Sequence, residues 1–289
     1  MSILREKRFG LVLRVFAKTP EQVELNAEQV LAAYQEAAGL WVRGRPFFNS
    51  VLILVARDKD YLDCDCGETA AYLRKKLPPK AASDVLEVRH GDLFCGVLNY
   101  GIARLLRDRI DYVAIVSHGA LDYLRSEIIE KMVDAHEKGA AVTGVAIDEL
   151  SQSIREGRIA NTFAMWDAVK LMTVGGFDYR AAQPKKDSQI PHVECWNADK
   201  GQLSYPKAGV EEIIPLIRLG RTFGPCIAPI VPRESAEWKA PDPEKDPEGH
   251  TRHISKMGTK HERQAWHAMS EGADISVLKG FVMPEYRTF

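Results

Sequence analysis

Gly175-Gly176-Phe177-Asp178 is the stretch of this 289-residue chain whose residue types best suit chemistry. A glycine pair permits a sharp turn and a close approach of backbone to another group. The acid that follows would accept a hydrogen bond from a hydroxyl, or else serve as a turn or helix-capping residue. Asp148-Glu149 come just after an apolar run at 141–147. Acids beyond the carboxyl end of a strand stand where ligands gather, or are loop residues in solvent. Glu211-Glu212 open a predicted helix, with Arg218 six residues beyond the second glutamate. Taken alone, such a pair reads as first-turn acids of a surface helix and the arginine as a surface ion-pair partner.

Further charged clusters follow the predicted strands. Asp58 and Asp60 alternate with Arg57 and Lys59, and Arg89-His90-Gly91-Asp92 come after a third strand. Either group would contact a base, ribose or phosphate, or make an exposed charged turn. His250, His253, Lys256, Lys260, His261 and Arg263 crowd a late basic segment. It reads as a solvated linker and helix, or as a cationic lid closing over an anion. Cys64-Asp65-Cys66 has a one-residue gap where zinc knuckles use two to four, so incidental thiols are the reading. No Ser-His-Asp or Cys-His arrangement, glycine-rich dinucleotide motif or phosphate-binding P-loop is present.

The elements that must position these residues alternate strand and helix. Strands are predicted at 11–16, 51–55, 84–88, 112–116 and 141–147, and the first carries a single arginine, Arg14, in an apolar run. Thr19-Pro20-Glu21-Gln22 forms a predicted capping box, with its helix ending at Gly39. Helices follow from near Glu68, from about Gly96 to Leu106 and from about Ser126 to Lys138. This order predicts an α/β fold with a mainly parallel sheet covered by helices on both faces. After Asp178 the pattern loosens, with a short helix at 211–219 and a strand at 226–231. Residues 232–258 are rich in proline and charge and read as a linker or lid before a final helix at about 260–271. The expected organisation is a main domain at 1–231 and a C-terminal extension at 232–289.

Composition sets limits on partners. Net charge is −1 from 39 basic and 40 acidic residues, so no overall field favours nucleic acid or an anionic membrane. No apolar run reaches the roughly 18 residues of a membrane span, and the first residues do not resemble a signal peptide. Five scattered cysteines suit reduced thiols, so a cytoplasmic location is expected.

Taken in order, these units resemble the GT-A fold glycosyltransferases, in particular the inverting family 2, over roughly residues 10–220. The carriers are the first strand with Thr19-Pro20-Glu21, the second strand with its acidic turn, and Leu98-Asn99-Tyr100-Gly101-Ile102-Ala103. They continue with strand 112–116, Gly175-Gly176-Phe177-Asp178, and Glu211-Glu212 with Arg218. The resemblance implies a nucleotide-sugar donor and a small-molecule or glycan acceptor. It makes Glu212 the base, with Glu211 and Asp178 beside it, because inverting transfer needs a group to take the acceptor's proton. A helix N-terminus would favour the ionised form of Glu212. Asp58, Asp60, Asp92, Asn99, Ser117 and His118 would bind the nucleotide. Asp148, Trp166, Gly175, Gly176 and Arg218 would face the acceptor or sugar, although Trp166 equally fits a core position.

One position departs from the family. Where Asp-x-Asp normally holds Mg²⁺ or Mn²⁺ on the diphosphate, this chain has Ser117-His118-Gly119. Three readings remain open. Protein cations or helix N-termini would neutralise the diphosphate; His118 and Asp122 would hold a metal in an altered geometry; or the fold would serve as a binding module without transfer. A nucleotidyltransferase on a related sheet is disfavoured, because Ala17-Lys18-Thr19-Pro20 is not a glycine-rich basic loop.

Overall fold

The computed structural model describes residues 7–15, 17, 19–42, 44–56, 67–88, 95–116, 120, 123–145, 156–159, 163–181, 195–197, 202–204, 210–231, 242–244, 247–258 and 260–287. Seven strands form the main sheet: β1 (Phe9–Val15), β2 (Ser50–Ala56), β3 (Val85–Val88), β4 (Tyr112–Val116), β5 (Val142–Val145), β6 (Phe163–Asp167) and β7 (Ile227–Ile230). Their spatial order is β3-β2-β1-β4-β6-β5-β7. All neighbouring pairs are parallel except those of β6, which runs antiparallel to both β4 and β5. The mainly parallel α/β sheet expected from the sequence is the observed architecture. The antiparallel β6 was not anticipated, since Phe-Ala-Met-Trp is a short apolar run without alternation.

β1 lies inside the sheet between β2 and β4 and is buried on both faces, which explains its nearly unbroken apolar sequence. Leu11, Leu13 and Val15 join Ile53 and Val55 of β2 in one core layer, under helices α1 (Pro20–Gly39) and α4 (Ser126–Glu137). On the same side α2 (Thr69–Lys76) packs against α1 and buries Ala70 and Leu73 in that layer. Val12, Leu52 and Leu54 face the opposite layer. That layer is roofed by α3 (Cys95–Arg107), α5 (Ala168–Thr173) and α6 (Ile213–Phe223). The predicted capping box at Thr19 is not formed: Pro20 starts α1 as expected, but the Thr19 side chain makes no capping bond. A proline at the first helical position needs no partner for its missing N–H, so the helix starts without that cap.

Three helices complete the described chain: α7 (Pro247–Gly258), α8 (Lys260–Ser270) and α9 (Leu278–Phe281). The helix expected at about 260–271 is present as α8. Part of the predicted linker, 232–241 and 245–246, lies outside the described residues, but its last part is α7, with proline again at the first position. Ala268 and Leu278 are buried in the same core as α6. The final residues close onto the sheet edge, where Cys226 N donates to Phe281 O at 2.8 Å and Met283 N to Ile227 O at 2.9 Å.

The strand order has a switch point. From β1 the chain steps to β2 and β3 on one side, then crosses to β4 on the other. In open parallel sheets the crevice outside the carboxyl ends at such a point is where ligands bind. Leu13 pairs with Val116. Arg14 therefore sits at the end of β1, just beyond its pairing with the carboxyl end of β4.

Candidate active site

The Gly175–Asp178 turn is built by tight local geometry and held from a distant helix. Asp167 caps α5 by accepting from Lys170 N at 2.9 Å, and the helix is only six residues long. The chain then reverses through Gly175 at φ 94° and Gly176 at φ 67°, values that side chains rarely tolerate. Asn99 on α3 grips the next residue in both directions. Its Nδ2 donates to Phe177 O at 2.8 Å, and its Oδ1 accepts from Phe177 N at 2.8 Å. A Cβ on Gly176 would sit 2.5 Å from that Oδ1. Asn99 was expected to touch the nucleotide. In the structure its amide takes the place of a strand partner to the turn. Trp166 is fully enclosed, its ring edge-on to Phe177 with centroids 5.2 Å apart. Of its two roles, stacking on a sugar or filling the core, the geometry fits the core, because an enclosed indole offers no face to a ligand.

Arg218 on α6 ties this turn to the C-terminal helices. Its Nη2 donates to Asp178 Oδ2 at 2.7 Å and to Glu271 Oε1 at 3.0 Å, its Nε to Glu271 Oε2 at 3.1 Å, and its Nη1 to Val174 O at 3.3 Å. Burial disfavours the charged guanidinium, but Glu271 and Asp178 outweigh this and raise its pKa. Arg218 thus pins Asp178 and Glu271, not the Glu211-Glu212 pair. Glu271 had no signal in sequence, since only packing of α8 on α6 brings it there.

Glu212 stands at the head of α6 and is 3% exposed. Loss of hydration and the neighbouring Glu211 charge push its pKa up to about 8, against smaller opposing effects of a backbone hydrogen bond and of Lys260 and Arg263. The helix N-terminus was expected to keep this carboxyl ionised. Burial overrides that effect, because a helix end stabilises a charge by less than desolvation costs it. Lys260 and Arg263 lie in the first turn of α8, and Arg263 is 5% exposed. Desolvation lowers the Arg263 pKa, with Glu212 and then Glu211 opposing that shift.

Arg14 approaches from the sheet. Although it keeps some solvent contact, it is ringed by protein, and desolvation lowers its pKa to about 10 despite the nearby Glu211 and Cys95. An arginine in an otherwise apolar strand was visible in sequence, and its position at the strand's carboxyl end is what makes it part of the site. A further link holds α8 in place. Arg158 donates from Nη1 to His261 Nδ1 at 2.7 Å and to Gln264 Oε1 at 2.9 Å, and also pairs with Glu156.

The structure therefore gathers two groups along α6. At its head Glu211 lies within the field of Arg14 and Glu212 within that of Lys260 and Arg263, and Asp178 with the Gly175–Gly176 turn meets Arg218 further along. Asp58, Asp60, Asp92, Ser117, His118, Asp122 and Asp148 lie outside the described residues, as do Cys64 and Cys66. Among the described residues no three His, Cys, Asp or Glu side chains assemble into a metal-holding group, and no helix is long and apolar enough to cross a membrane.

No protein-family model matches the chain, and no curated protein matches it in sequence. Solved structures do match. A mannosyltransferase from Pyrobaculum calidifontis, in complex with GDP-Man and Mn²⁺, overlaps 95% of this chain and 69% of its own at TM-score 0.53 and 12% identity. Weaker overlaps are with glucosyl-3-phosphoglycerate synthase from Mycobacterium tuberculosis, in complex with Mg²⁺ and UDP, and with a cytidylyltransferase from Leptospira borgpetersenii. The first has TM-score 0.44, 11% identity, and 89% and 79% coverage of the two chains; the second 0.42, 12%, and 80% and 79%. At this identity the likeness to the mannosyltransferase concerns the fold, and the GT-A-like architecture is the one this chain adopts.

Proposed function

We propose that this protein is an inverting glycosyltransferase that moves a sugar from a nucleotide-sugar donor to an acceptor hydroxyl. One observation carries the reading. A carboxyl with a pKa of about 8, Glu212, is buried beside Glu211, whose charge acts on Arg14 at the carboxyl end of β1, the end of a GT-A-like sheet that receives ligands. The acceptor oxygen forms a bond to the anomeric carbon as the bond from that carbon to the nucleoside diphosphate breaks. The hydroxyl proton passes to ionised Glu212, and the nucleoside diphosphate leaves with the bonding electron pair. Attack opposite the leaving group inverts the anomeric centre. A base with a pKa near the working pH is suited to this step.

Asp178 and the Gly175–Gly176 turn form the acceptor side in this reading, held from behind by Asn99 and Arg218. Asp58, Asp60, Asp92, Ser117 and His118 are proposed for the nucleotide, and Asp148 for the acceptor. A divalent cation, with His118 and Asp122 as its proposed ligands, is treated by experiment, and no step here depends on it. The test is thermal shift against UDP-, GDP-, dTDP- and CDP-sugars, with and without Mn²⁺, followed by sugar-nucleotide hydrolysis. Stabilisation by one donor, with hydrolysis lost in Glu212→Gln, supports the proposal. Binding without turnover in the wild type assigns a binding module, and no shift with any donor removes the donor-binding reading.

A further inference from the structure

Glu271 follows directly on α8, far in sequence from the Gly175–Asp178 turn. α6 nevertheless holds it twice. Arg218 donates from Nε and Nη2 to its two carboxylate oxygens at 3.1 and 3.0 Å, and Arg221 donates from Nη1 to its backbone O at 2.8 Å. Residues three apart on a helix are neighbours on its surface, so side chain and backbone of Glu271 are fixed to one face of α6. A side-on pair that uses both carboxylate oxygens sets the plane of the guanidinium as well as its place.

That plane is aimed at the turn. The Nη2 that meets Glu271 also donates to Asp178 Oδ2 at 2.7 Å, and Nη1 donates to Val174 O at 3.3 Å. Glycine at 175 makes room for this approach, since a Cβ there would lie 3.2 Å from Arg218 Nη1. All three nitrogens of Arg218 are engaged with protein, which makes the side chain a bracket between two acids. The side chains of Asp178 and Glu271 are only 15% and 11% exposed, so solvent screens the bracket less than it would a surface ion pair. Two carboxylates on one nitrogen repel each other, and neutralising Arg218 needs only one of them.

We propose that Glu271 is a positioning residue of the acceptor side. Through Arg218 it sets the side chain of Asp178, the group that meets the acceptor in the glycosyltransferase reading, on which this inference rests. Asn99 holds the backbone of the turn from α3, and Glu271 holds its acid from the end of α8. Loss of Glu271 unlocks the guanidinium and lets Asp178 turn away.

The test is amide hydrogen exchange of the full chain, read at Gly175, Gly176 and Phe177, whose N–H groups donate to Met172 O, Leu171 O and Asn99 Oδ1. Exchange at these amides should quicken about tenfold in Asp178→Asn and about tenfold in Glu271→Gln. The double variant should stay near tenfold, because Asp178 contributes little once Arg218 is unlocked. Two acids that merely share a cation behave in the opposite way: each single removal relieves repulsion, and the double variant strands Arg218 and loses at least the product. Arg218→Lys keeps the charge and should still quicken exchange, since an ammonium has no planar fork to hold both acids. Arg74→Met, which breaks the distant Arg74–Glu87 pair, should leave these three amides unchanged. A double variant at about a hundredfold, or exchange unchanged in Glu271→Gln, overturns the proposal. With the donor found by thermal shift, Glu271→Gln should lower kcat of hydrolysis roughly tenfold at unchanged donor KM. A raised donor KM at unchanged kcat overturns the placement on the acceptor side. A wild type that binds no donor removes the glycosyltransferase reading, while the exchange pattern still decides whether Glu271 sets Asp178.

Discussion

Replacing Glu212 by glutamine should change how stability depends on pH. The carboxyl has a folded pKa raised from 4.5 to about 8. The folded state therefore holds a proton that the unfolded chain has already lost at neutral pH, so stability falls as pH rises. This contribution is fully present below about pH 4.5 and gone above about pH 8. Linkage between those two pKa values gives a loss of about 2.5 kcal/mol on going from pH 6 to pH 9. Solvent screening does not reduce it much, because Glu212 is 3% exposed. Urea unfolding of wild type and Glu212→Gln at pH 6, 7, 8 and 9 reads the difference directly. The wild type should lose about 2.5 kcal/mol relative to the variant over that range. Parallel curves, within about 0.5 kcal/mol, would show that the carboxyl is hydrated and titrates normally.

Other predictions concern the turn and its supports. Asn99→Ala strands the N–H and C=O of Phe177 and should cost about 2–4 kcal/mol in urea unfolding, with faster amide exchange at Phe177. Gly176→Ala combines φ 67° with a Cβ only 2.5 Å from Asn99 Oδ1, so it should destabilise by about 1–3 kcal/mol, and less in an Asn99→Ala background. Arg218→Met leaves the carboxylates of Asp178 and Glu271 without their shared cation. It should cost about 2–3 kcal/mol by urea unfolding, with much of the loss recovered when Glu271→Gln is added.

Local pattern made most of the scaffold legible. The apolar run of β4 and the proline start of α1 are properties of neighbouring residues, and so is the apolar face that α3 buries. β6 escaped because a short apolar run fits a strand or a buried helix equally well. α7 escaped because proline and charge marked the whole segment as a linker, although the proline begins a helix. The site was legible in its residue types and not in its contacts. Glu211-Glu212, Arg218 and Asp178 were picked out by spacing, but the Asn99 grip on Phe177 spans 78 residues. The high pKa of Glu212 also arises from its burial in the folded chain, and no local signal reports that.

The pH dependence of sugar-nucleotide turnover tests the role of Glu212 as base most directly. With the donor found by thermal shift, kcat/KM should rise about tenfold per pH unit from pH 6 and level off near pH 8, where Glu212 is ionised. Glu212→Gln should bind the donor as wild type does and lose about 10²–10⁴-fold in turnover. A flat profile, or full turnover in that variant, would contradict the assignment.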